Sequence, residues 1–208
     1  YSTQGGLPDE DLFCIIPANA GGLQATVQPV ARGIGTHMLD HGKNPATGEY
    51  WFLTLNAKNA QDGIDTEPEH RGDFIDNVLV RTAQPQHGTV IQPQDAFRID
   101  LDDLNTAPGG QYESERSLSF PYALEFAPDG RAFIASSTGD LVGIFASDGR
   151  RSRELKLKDG AIPRDLALTP GTGSHLYVYN WGHNTIAVFA PTGPDALRVV
   201  ARLRLGID

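Results

Sequence analysis

His37 and His41, four residues apart in HMLDH, are the first residues to suggest chemistry, because on a helix that spacing can chelate one metal ion. On a strand, at about 3.3 Å per residue, the same spacing parts them by roughly 13 Å, so they cannot share an ion. His37 then works with residues from elsewhere in the chain or serves as a hydrogen-bonded structural histidine. A second set lies in the acidic stretch 57–76, which carries Asp62, Asp65, Glu67, Glu69, His70, Asp73 and Asp76. Calcium takes several oxygens converging on one point, so Asp62, Asp65, Asp73 and Asp76 are candidate ligands for calcium or another divalent cation. Their spacing does not follow the every-second-position order of a calcium loop, and a solvated acidic lid is the plainer reading. Arg164, directly after Pro163, suits a carboxylate, or pairs with Asp165 or a neighbouring acid. Trp181 in YNWGHN stands in a turn and reads either as packing over an adjacent segment or as an anchor for a partner, a role in which Trp is enriched.

Other chemistries have no signature. The chain holds no Gly-x-Ser-x-Gly, no His-Glu-x-x-His and no Walker loop, and GIGTHM has two glycines of a dinucleotide fingerprint without the third. A net charge of −9 with scattered Lys and Arg argues against nucleic-acid or anionic-membrane binding. A small molecule, a metal or another protein is the expected partner. No apolar run reaches the eighteen or so residues of a membrane span. The one cysteine, Cys14 in DLFCIIP, has no partner for an internal disulfide and is expected to be a small buried hydrophobe. The chain opens on Tyr1 rather than Met, and is expected to be a processed product or a piece of something longer.

The elements that position these residues form a repeat. FPYALEFAPDGRAFIASSTGDLVGIFASDG aligns with IPRDLALTPGTGSHLYVYNWGHNTIAVFAPTG, setting Pro121 on Pro163, Leu124 on Leu166, Phe133 on Tyr177 and Phe145 on Phe189. Apolar residues alternate with period two, as at Leu166 and Leu168, Leu176 and Val178, Ile186 and Val188. Turn residues fall between them in APDG, TPGTG, STGD and WGHN. A fourth strand follows each copy, in SRELKLK and in LRVVARLRL, and helical periodicity is absent. A period near forty residues with several short strands per unit is the mark of a β-propeller blade.

A looser third copy opens at GTHMLDHGKNPATGEYWFLTLNAKN and resumes at NVLVRT, interrupted by the acidic insertion. The predicted fold is all-β, with outer strands of a partial blade in 1–35, a divergent blade in 36–117 carrying the insertion 57–76, and further blades in 118–160 and 161–208. Propellers close with about four to eight blades, so three and a remnant predict an incomplete arc of a larger wheel. The remaining blades would come from a longer polypeptide or another chain, or the wheel is an unusually small one of four. If strands run outward from a channel, His37, Tyr122, Arg164, Asn180, Trp181 and His183 gather at one mouth with the insertion, where a ligand would bind.

The YVYN segment, with PRDLALTP before it and NTIAVF after it, resembles the YVTN-type β-propeller repeat family. Tyr179 stands where that family has Thr, and the middle copy reads FIASS, with Ser136 in the place of Asn180. The order of segments is similar to the propeller part of bacterial proteins that also carry a di-haem cytochrome c peroxidase-type module. That resemblance implies an accessory, non-enzymatic binding or scaffold segment of an exported bacterial protein, periplasmic or extracellular, docking beside a haem redox module. No Cys-x-x-Cys-His occurs, so any haem is expected in the neighbouring module and no cofactor is expected within this chain. The rival reading is a propeller-type metal-dependent hydrolase or lyase with a central divalent cation, drawing on Asp40, Glu125 and Asp165. A third is an assembly subunit whose missing blades come from other chains.

Overall fold

A computed structural model describes residues 10–17, 25–57, 75–86, 88–102, 117–171, 174–190 and 198–206. Three four-stranded antiparallel sheets follow one another along the chain. The first blade comprises β3 (His37–Lys43), β4 (Tyr50–Ala57), β5 (Ile75–Thr82) and β6 (Phe97–Asp100). The second comprises β7 (Pro121–Phe126), β8 (Ala132–Ser136), β9 (Leu141–Phe145) and β10 (Arg151–Lys156). The third comprises β11 (Pro163–Leu168), β12 (Leu176–Asn180), β13 (Thr185–Phe189) and β14 (Val199–Arg204). A separate two-stranded sheet, β1 (Glu10–Ile16) with β2 (Thr26–Arg32), precedes them. This is a partial β-propeller. No helix among the described residues is long and apolar enough to cross a membrane.

The register makes the repeat exact in space. Leu124 pairs with Ile134 as Leu166 pairs with Val178, and Phe145 faces Ala132 as Phe189 faces Leu176. Each innermost strand carries a bulge at the same place, between Met38 and Asp40, Pro121 and Ala123, and Pro163 and Asp165. The residues skipped by these bulges are Leu39, Tyr122 and Arg164; a bulge re-aims a side chain, which matters for the mouth. The fourth strand of the first blade, β6, was not expected from the sequence, where FRID is too short to show alternation.

Tight turns recur in the second blade. Gly130 and Gly149 close APDG and ASDG with φ of 83° and 85°, and each turn is tied by the Gly N–H to the Ala carbonyl. Gly130 is needed for a second reason: a Cβ there would lie 2.6 Å from that of Ala46 in the first blade. Beside Gly149, the Arg150 backbone N–H and guanidinium hold Asp148 below its ordinary carboxylate range.

The blades bury their faces on each other. Trp51, Leu53 and Leu79 of the first blade meet Leu124, Ala132 and Ile134 of the second. Phe133, Ala135, Val142 and Ile144 on the opposite face of the second meet Leu166, Leu176, Val178 and Phe189 of the third. The far side of the first blade, at Phe52, Val78 and Val80, is packed by Ala31 and Leu12 of the hairpin. Ile91 fixes that hairpin through a parallel bridge to Ala31. Cys14 on β1 is half-buried rather than the buried hydrophobe expected, because a two-stranded sheet covers only part of its own side chains.

Candidate functional site

The three innermost strands β3, β7 and β11 lie side by side. Each has a free edge, whose backbone N–H groups need partners. In β7 and β11 a carboxylate of the preceding blade supplies one. Asp40 accepts from its own neighbour His41 N–H at 2.8 Å through one oxygen and from Leu124 N–H of the second blade at 2.7 Å through the other. Glu125 of the second blade accepts from the backbone of Leu168 in the third. Asp165 occupies the same register position as Asp40, opposite Tyr179 as Asp40 is opposite Leu53. It accepts from its own neighbour Leu166 N–H at 2.9 Å, as Asp40 does from His41.

Glu125 therefore sits between two like charges. Burial raises its carboxyl above the ordinary value of 4.5, the Leu168 bond opposes the rise, and Asp40 and Asp165 add to it. The three carboxylates considered for a central cation are thus neighbours in their fields. Asp40 and Glu125 act as latches from one strand to the next through backbone N–H groups, whereas Asp165, among the described residues, holds only the N–H of its own neighbour. Among the described residues no three His, Cys, Asp or Glu side chains converge as metal ligands.

At the mouth, the Arg164 guanidinium carbon lies 4.6 Å from the centroid of the Tyr122 ring and 4.8 Å from that of Trp181. A cation held against two aromatic faces is stabilised by their quadrupoles. Among the described residues Arg164 has no carboxylate partner, and its contacts there are the two rings. Local structure fixes this trio. Tyr122 and Arg164 are the bulged residues of β7 and β11. Trp181 begins a 3-10 turn, Trp181–His183, docked by the Trp181 N–H on the Ile162 carbonyl at 3.1 Å and the Gly182 N–H on that of Ala161 at 2.9 Å. Gly182 is obligatory here, since a Cβ would fall 2.1 Å from the Gly160 carbonyl oxygen. Asn184, with φ of 49°, closes the turn.

The six residues expected at the mouth thus divide. Tyr122, Arg164 and Trp181 meet, and Trp181 is 54% exposed, with its ring over Arg164. Asn180 and His183 line a different place, a cleft of about 300 Å³ between β10 of the second blade and β13 and β14 of the third. His37 is exposed on β3 and joins neither group, and His41 stacks on Phe52. Of the candidate cation ligands, Asp62, Asp65 and Asp73 lie outside the described residues; Asp76 is in β5, opposite Asn56. The acidic insertion leaves the ends of β4 and β5, the place taken in the third blade by the Trp181 turn.

Sequence reasoning missed the cations of the cleft, Lys156, Lys158, Arg202 and Arg204. Their signal was present in KLK and RLR; in RLR a spacing of two puts both charges on one face of β14, and in KLK Lys158 follows just past the end of β10.

No family model matches the chain, and no curated protein matches it. Among solved structures it is similar to hydrazine synthase of Kuenenia stuttgartiensis, with a TM-score of 0.55 and 16% identity over 81% of this chain and 48% of that one. A putative 6-phosphogluconolactonase of Bacteroides uniformis gives 0.53 and 13% over 87% and 46%. Virginiamycin B lyase of Staphylococcus aureus gives 0.46 and 17% over 90% and 47%. At such identities the first two likenesses carry the fold and no activity. The chain is an arc of β-propeller that spans about half the length of the solved chains it matches.

Proposed function

We propose that this chain is an accessory, non-enzymatic propeller segment that presents a blade face and an arginine-bearing mouth to a partner. The observation that carries the reading is the pair Asp40 and Asp165. Both cap their own strand in the same way, and Asp40 spends its second oxygen on the backbone of the next blade. Asp165 takes no second backbone donor among the described residues, and its carboxylate is exposed. The equivalent oxygen would accept from the innermost strand of a following blade, beside which Tyr179, Ile186 and Leu203 would be covered as Ala135, Val142 and Leu155 are. Leu203 is 49% exposed, and at the other end of the arc Phe13, Ile15 and Val27 are exposed as well. Apolar residues at both ends support a wheel completed by further blades, whether of a longer polypeptide or another chain.

In this reading Arg164, framed by Tyr122 and Trp181, meets an acidic or carbonyl group of the partner, and the assembly works in the periplasm or outside a bacterial cell beside a haem redox module. The test is the mass of the native species together with its haem absorbance. A species much larger than 22.4 kDa, with a haem band and dissociated by Leu203→Glu, is the expected result. A 22.4 kDa monomer that binds a divalent ion and is indifferent to Leu203→Glu would overturn the reading.

A further inference from the structure

The geometry points to a binding site for a small organic anion bearing a hydroxyl group, in the cleft between the second and third blades. Equivalent residues in the three blades supply the argument. Thr54, Ser136 and Asn180 occupy the last buried position of the second strand in each blade. Thr54 donates its hydroxyl to the Val78 carbonyl, and Ser136 donates to the Ser119 carbonyl at 2.8 Å while accepting from Gly139 N–H. Both are satisfied within the protein. Asn180, only 5% exposed, has an amide oxygen with no hydrogen-bond donor, and it lines the cleft. A buried polar atom without a partner costs free energy, so a donor from a ligand is the missing term.

The walls specify the rest of that ligand. Lys156 and Lys158 stand on one side, Arg202 and Arg204 on the other, with His183 beside them, and among the described residues no acidic side chain lines the cleft. Arg202 and Arg204 lie opposite Ala187 and Thr185, on the face of the third blade that carries Asn180. Lys158, Arg202 and Arg204 on facing walls, in a chain of net charge −9, concentrate a positive field where the surface as a whole is negative. Phe189 and Val199 give the cleft an apolar floor. A volume of about 300 Å³ suits a molecule of several carbons at the small end of ligand sites. The anionic group meets the arginines, whose fork matches phosphate or carboxylate, and a hydroxyl donates to the Asn180 oxygen.

The probes are inorganic phosphate, glycerol, and glycerol 3-phosphate, titrated calorimetrically into the full chain at low, fixed ionic strength. Glycerol 3-phosphate is expected to bind at least about fivefold more tightly than phosphate, and glycerol not measurably, which is the advantage of one well-made hydrogen bond. Arg202→Ala with Arg204→Ala, both exposed and remote from the core, is expected to weaken both anions about tenfold or more. Asn180→Leu, matched in shape but without polar atoms, is expected to reduce glycerol 3-phosphate to the affinity of phosphate. Should Asn180→Leu fail to fold, the contrast between phosphate and glycerol 3-phosphate in the parent chain decides the hydroxyl on its own. Binding unaffected by the double arginine variant, equal affinity for the two anions, or no binding of either in the millimolar range would each overturn the proposal.

Discussion

Strands β8 and β12 hold the same place in consecutive blades and fare differently. Every residue of AFIAS in β8 is buried, whereas in LYVYN of β12 burial alternates, with Leu176, Val178 and Asn180 buried and Tyr177 and Tyr179 half-covered. The backbone register is the same in both, so the difference comes from neighbours: β8 has a blade on each side and β12 has one. Position in the arc, not the repeat, decides which residues are spent on packing. The residues left over are the ones available to a partner.

Core truncation should sharpen this contrast most. Phe133→Ala is expected to cost about 3–5 kcal/mol in denaturant unfolding, as buried aromatic deletions do. Its counterpart on the other strand, Tyr177→Ala, should cost about 1 kcal/mol in the same experiment. Equal costs would mean that the open face is covered in solution. The latch residues make the next largest difference. Asp40→Asn replaces one accepting oxygen by an amide NH2 and leaves either His41 or Leu124 N–H facing a donor, a loss of about 1–3 kcal/mol. Asp165→Asn, at the equivalent position, should change stability by less than about 0.5 kcal/mol in this chain. If it costs as much as Asp40→Asn, its second oxygen is already engaged.

A smaller effect is expected at the mouth. A double-mutant cycle on Arg164→Ala and Trp181→Ala should give a coupling of about 0.5–1 kcal/mol, the range for an exposed cation over a ring. Zero coupling would show the two side chains to be independent in solution. The smallest effect is a pH dependence at Glu125. A carboxyl whose value is raised in the folded state binds more protons there than in the unfolded chain. Its contribution favours the fold below 4.5, the ordinary value, and is lost as pH rises through the folded-state value. Stability of the parent chain relative to Glu125→Gln should therefore fall across that window and stay level at higher pH. A relative stability that rises with pH there would reverse the sign and remove the burial argument.

Much of the architecture was legible because a blade's signals are local. Alternation at Leu166 and Leu168, the APDG turn and the offset between Pro121 and Pro163 need only neighbours along the chain, and all three appear as strands and turns where expected. The candidate site was legible in part. Arg164 and Trp181 were noted for their types, but the ring of Tyr122 reaches Arg164 only because bulges recur in adjacent strands, a feature with no sequence mark here. Asp40 and Asp165 aligned poorly in the sequence because the insertion and the divergent first copy blurred the count; strand pairing restores their equivalence.

The sequence by itself determined the period, the strand type, the alternation of faces and the conclusion that the blades need neighbours, because these follow from spacing and from apolar residues that must leave water. Only the tertiary structure decided which polar residues meet. It gave Asp40 a backbone donor 84 residues away, set Asn180 in a cleft where Ser136 has an internal partner, and brought KLK and RLR to facing walls. Such contacts join strands of different blades, and their distances depend on how sheets stack rather than on the order of residues within any one of them.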